Sequence, residues 1–154
     1  TGTRQSGDVL TTGTQNYTLN GPDKVVFSNS SRSFLQGCNG TANVFTMELQ
    51  SGTTLSTPFA STVVRVTSDS NNYTIYSDNT CLTPVTNGDF TYTTSENTKS
   101  VYIRDLGTNV GTKTLTGTRQ SGDVLTTGTQ NYTLMSPSTR IKGSPRIRGG
   151  TRIN

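Results

Sequence analysis

The sequence predicts an all-β fold, an Ig-like antiparallel β-sandwich, and three observations carry that expectation. Of the 154 residues, 32 are Thr and 17 are Ser, and Trp and His are absent. β-Branched and hydroxylated side chains suit a pleated, half-solvated surface and fit a helix poorly. Apolar residues come in runs of four to seven, with turn residues between them. The runs recur about every ten to fifteen residues, which is the rhythm of an antiparallel sandwich or barrel.

Each run has a local cause. Asn20-Gly21-Pro22 is a turn signal, and residues 23–27 (DKVVF) follow it as a first strand. Residues 43–49 alternate, with Phe45, Met47 and Leu49 on one face and Val44, Thr46 and Glu48 on the other. In residues 61–67, Val64 and Val66 oppose Val63 and Arg65. Residues 72–76 (NYTIY) follow a polar turn cluster at 68–71. Asn87-Gly88, the strongest short turn signal in the chain, precedes residues 89–93 (DFTYT). Residues 100–105 set Val101 and Ile103 against Tyr102 and Arg104. The length suits one domain with a modest core. No apolar run reaches membrane-spanning length, so no membrane insertion is expected. The N-terminal residues hold no charged-then-apolar leader, as in a mature form or a fragment.

The net charge of +4 is localised. Residues 135–154 hold Arg140, Lys142, Arg146, Arg148 and Arg152 and no acid, whereas residues 1–134 hold eight basic and nine acidic residues. The basic tail lacks the interleaved aromatics that stack on bases, so nucleic acid is not an expected partner and the tail is placed outside the fold.

Cys38 and Cys81 are the two cysteines. Without His or a third Cys, a sulfur-based metal site is not expected. A disulfide and two separate thiols are left, and the Ser/Thr/Asn-rich composition of an exported protein favours the disulfide. The absence of His also removes the Ser-His-Asp and Cys-His arrangements. Asp8, Asp23, Asp69, Asp78, Asp89 and Asp123 lie beside Gly, Ser, Asn or Pro, where Asp serves turns. No enzyme, no catalytic residue and no cofactor are expected. Tyr73, Tyr76, Tyr92 and Tyr102 are candidates for an exposed sugar- or protein-binding surface.

The most unusual feature is a repeat. Residues 1–19, TGTRQSGDVLTTGTQNYTL, return unchanged as residues 116–134. Three origins fit: a tandem-repeat protein with a 115-residue period, duplication of a terminal segment, or transfer of a copy of the N-terminal segment to the C-terminus. After Leu19 the chain reads NGPDKVVF and after Leu134 it reads MSPSTRIKG, so identity stops in one step, as at a splice.

The repeated segment, the single cysteine pair and the body of short strands between them resemble fimbrial subunits of the chaperone–usher kind. That resemblance implies a sandwich lacking one edge strand, filled by β-augmentation from a neighbour's N-terminal extension. It implies residues 1–15 as an extension, 16–115 as the sandwich body and 116–134 as a donor strand that closes the groove from within. Val124, Tyr132 and Leu134 would then point inward. The expected function is an extracellular structural or adhesive subunit of a cell-surface fibre. Its partners would be neighbouring copies of itself and a host-surface or matrix protein or glycan. Alternatives are a stand-alone carbohydrate-binding module and a viral coat or attachment domain with a basic tail.

Overall fold

The computed structural model describes residues 20–38 and 40–137. The described chain is all-β, with ten strands. These are β1 (Lys24–Phe27), β2 (Arg32–Leu35), β3 (Val44–Ser51), β4 (Thr54–Leu55) and β5 (Thr62–Ser68). They continue with β6 (Tyr73–Tyr76), β7 (Asp89–Tyr92), β8 (Thr98–Asp105), β9 (Gly111–Ser121) and β10 (Gly128–Met135). One sheet has the order β1-β3-β8-β6 with β4 beside β3, and the other has the order β2-β10-β9-β5-β7. Neighbours are antiparallel except β2, which runs parallel to β10.

The alternation expected from sequence is the alternation observed. Phe45, Met47 and Leu49 of β3, Val64 and Val66 of β5, and Val101 and Ile103 of β8 are all buried between the sheets. Each such side chain contributes about 1.5–3 kcal/mol relative to exposure. Phe34 stacks on Tyr132 with ring centroids 5.1 Å apart, and Phe45 packs against both rings. This aromatic trio fills the centre, where antibody-type domains place a Trp against a disulfide.

Cys38 and Cys81 form a disulfide, but at the margin rather than in the core. It joins the end of β2 to the loop between β6 and β7, with the Cα atoms 6.3 Å apart. Asp78 organises that loop. One carboxylate oxygen accepts the backbone N–H groups of Thr80 and Leu82, and the other accepts that of Thr83. These hydrogen bonds, led by that from the Thr80 hydroxyl, hold the Asp78 carboxyl well below the usual range.

The two ends of the sandwich differ in what they present. Thr126 forms an isolated bridge with Lys24 at the start of β1, and the backbone N–H of Val25 donates to the Thr126 carbonyl. The domain therefore begins at the pole that carries the β9–β10 turn. β10 then runs for eight residues, about 25 Å, to the other pole, where Leu134 pairs with Gly111.

Candidate functional site

The repeated segment was expected to supply one donor strand, and it supplies more than that. β9 runs unbroken from Gly111 to Ser121, so the second copy starts inside a strand, at Thr116. It then makes the turn at 122–127 and nearly all of β10. The segment is the second half of a hairpin strand, a turn and the returning strand.

That geometry corrects one inward position. Tyr132 and Leu134 are buried, but Val124 is 82% exposed. Counting every second residue back from Leu134 assumes one continuous strand, and the turn interrupts that phase. Leu125 occupies the buried place instead. Its exposed neighbour Thr126 ties the turn to the start of β1, donating its N–H to the Asp23 carbonyl and accepting from the Val25 N–H. Arg119 holds the turn by donating to the carbonyls of Gly122 and Asp123 at 2.7 and 3.0 Å. Gly122 is required there: its φ is +87°, and an added Cβ would lie 2.3 Å from the Thr62 hydroxyl oxygen.

β10 is also tied to the rest of the fold by a buried polar network that sequence analysis did not single out. Asp105 at the end of β8 is fully buried. One of its oxygens accepts from the Tyr132 hydroxyl at 2.7 Å, and the other accepts from the Ser70 hydroxyl and the Gly107 N–H at 2.7 and 2.8 Å. The Tyr132 and Ser68 hydroxyls are 2.7 Å apart. Burial, reinforced by the bond to Asp105, pushes the Tyr132 hydroxyl far above its ordinary range, so it stays protonated and donates. The signal was present in the sequence: Asp105 shares the parity of Val101 and Ile103, which puts a carboxylate on the buried face.

The four tyrosines do not form one exposed surface. Tyr92 is fully buried on β7 and donates its hydroxyl to the Met47 carbonyl, because it shares the inward parity of Phe90. Tyr76 is also buried, beside Pro84, with which it forms a bridge. Tyr73 packs against the core and Tyr102 is half-buried. The surface acids serve local structure. Each carboxylate oxygen of Asp89 accepts one N–H of the Arg65 guanidinium, from Nε and from Nη2, at 2.7 Å. Glu96, held down to about 2 by Lys99 and the Thr93 loop, closes the β7–β8 turn. Among the described residues, no group of three or more His, Cys, Asp or Glu is placed to hold a metal.

Two open clefts stand out. One, of about 380 Å³, is lined by Val66, Tyr73, Ile75, Val85 and Asn87. The other, of about 400 Å³, lies at the pole where β1 begins, between Gly21, Pro22, Phe59 and the turn at Gly122–Val124. Phe59 anchors its N–H on Asp123 at 2.7 Å and lays its ring over Gly21, where a Cβ would lie 2.6 Å from the ring. The expected extension at 1–15 lies outside the described residues, and of the tail expected outside the fold at 135–154, Met135 is the last residue of β10 whereas residues 138–154 lie outside the described residues. No protein-family model matches the chain, and no curated protein matches it with significant similarity.

Proposed function

We propose that this chain is a structural or adhesive module of the cell exterior, joined end to end with copies of itself along one polypeptide. One observation carries the proposal: the strands of the sandwich run from Lys24 to Met135, and this span of 112 residues fits within the 115-residue offset between the two copies of the repeated segment. The folded unit therefore occupies about one such offset. Residues 1–19 are then the closing segment of a preceding unit, identical because the units are. The disulfide fits an oxidising compartment. No helix among the described residues is long and apolar enough to cross a membrane.

Exchange of a donor strand between separate fimbrial-type subunits is the second reading. It is favoured by the position of β10 between β2 and β9, with Tyr132 and Leu134 fully enclosed. Against it, a donor would have to bring half of β9 and a turn together with β10. Neither mode calls for a preformed glycan pocket, and the scattered tyrosines give the carbohydrate-binding alternative little support. An antibody against the sandwich, used on surface material sheared from source cells, separates the modes. An array gives a mass of several units that survives boiling in detergent. Exchange gives a ladder that collapses to one unit on boiling. Protein found only inside the cell, at the mass of one unit, would refute both.

A further inference from the structure

Within such an array the junction is short, with only positions 21–23 between the end of β10 and the start of β1. Residue 20 stands one period before residue 135, so within an array a single residue fills both positions. At position 135 the backbone carbonyl ends β10 and accepts the N–H of Gln36 at 3.2 Å. At position 20 the carbonyl accepts the Ser56 hydroxyl at 3.3 Å. A carbonyl oxygen has two lone pairs and can accept from both units at once. Pro22 is buried and the N–H of Asp23 donates to Gln50, so the next residues are already seated on the downstream unit. The upstream pole is thereby delivered onto the cleft at Gly21.

Both poles present apolar side chains suited to such a contact. At the downstream pole, Phe59 is 55% exposed and Val124 82%. At the upstream pole, the β8–β9 loop leaves Leu106 and Val110 40% and 50% exposed. This loop ends at Gly111, the partner of Leu134, and its Gly107 carbonyl accepts the Gln36 side chain at 2.6 Å. It therefore sits beside the residue that enters the junction.

We propose that each sandwich seats the preceding copy on its Gly21–Phe59–Val124 cleft, with the Leu106–Val110 loop of that copy as the occupant, giving a stiff rod rather than loosely linked beads. The proposal rests on the array described above. Short linkers and mutual apolar burial are what suppress independent motion of neighbouring domains.

The chain provides its own assay. Placing a further copy of residues 20–115 before residue 1 completes a second unit, because residues 1–19 then close it. The sequence lacks Trp, so Val124→Trp in one unit is a lone fluorescent reporter. In the downstream unit its emission should shift to the blue, and acrylamide quenching should fall several-fold relative to the single-unit chain. The same substitution in the upstream unit, whose cleft has no predecessor, should stay as exposed as in the single unit. Leu106→Asp with Val110→Asp in the upstream unit should restore quenching of the downstream reporter. Equal quenching at both positions, in a protein with the strand signal of two folded units, overturns the docking. A two-unit chain that never gains the second unit's strand signal instead overturns the array on which docking rests.

Discussion

Tyr132 shows most clearly how one side chain from the repeated segment holds the fold. Its ring stacks on Phe34, and its hydroxyl donates to the buried Asp105. Tyr132→Phe keeps the ring and leaves a buried carboxylate oxygen without this donor, which costs about 1–3 kcal/mol. Urea unfolding should show a lower midpoint with an unchanged slope. Tyr17→Phe, the same change in the first copy, should leave the midpoint where it is. At this scale the sequence was legible wherever alternation was strict. Phe45, Met47 and Leu49 were placed correctly because no turn interrupts β3. Val124 was misplaced because the turn after Ser121 shifts the phase, and nothing in the residue types of TTGTQ marks where the strand resumes.

At the scale of elements, every apolar run read from the sequence is a strand, and the strands that escaped notice are those without apolar runs. β9 is the longest, yet Leu115 is its one large apolar residue; a central position between β10 and β5 makes it a strand. β2 has only Phe34 facing inward and gains its order from parallel pairing with β10. The β2–β10 pairing links residues 100 positions apart and the β5–β9 pairing residues 47 to 58 apart, so local pattern does not reveal them. The cysteine pair was better marked, by composition alone. The Cys38–Cys81 bond closes a loop of 43 residues, and the loop-entropy relation assigns it about 4 kcal/mol. Replacing both cysteines by Ser should therefore lower the unfolding free energy by up to that amount while the far-ultraviolet spectrum of the folded protein stays β. A loss of strand signal in the absence of denaturant would mean that the bond is needed to form the sandwich and not only to stabilise it.

For the molecule as a whole, the proposed array accounts for the repeat that dominates the sequence. Identity ends after Leu134, the last core residue, one residue before β10 ends at Met135. The sequence presented the period plainly but not its phase, since a period can be cut anywhere. On the proposed array reading, the pairing of β9 and β10 with the body sets that phase, with β1 opening the unit after the first copy and β10 closing it at Met135. The most direct test compares residues 20–134 with residues 1–115. The two chains have the same length and the same composition and differ only by circular permutation. To close as a monomer, 1–115 would need residues 20–23 to lead from the pole where β10 ends back to the pole where β1 begins. Five Cα steps reach about 17 Å, short of the roughly 25 Å that β10 covers. Size-exclusion chromatography with thermal melting should find 20–134 a monomer that melts cooperatively at the temperature of the full chain, and 1–115 unable to form that monomer. Two monomers of equal stability, or an unfolded 20–134, would contradict the account.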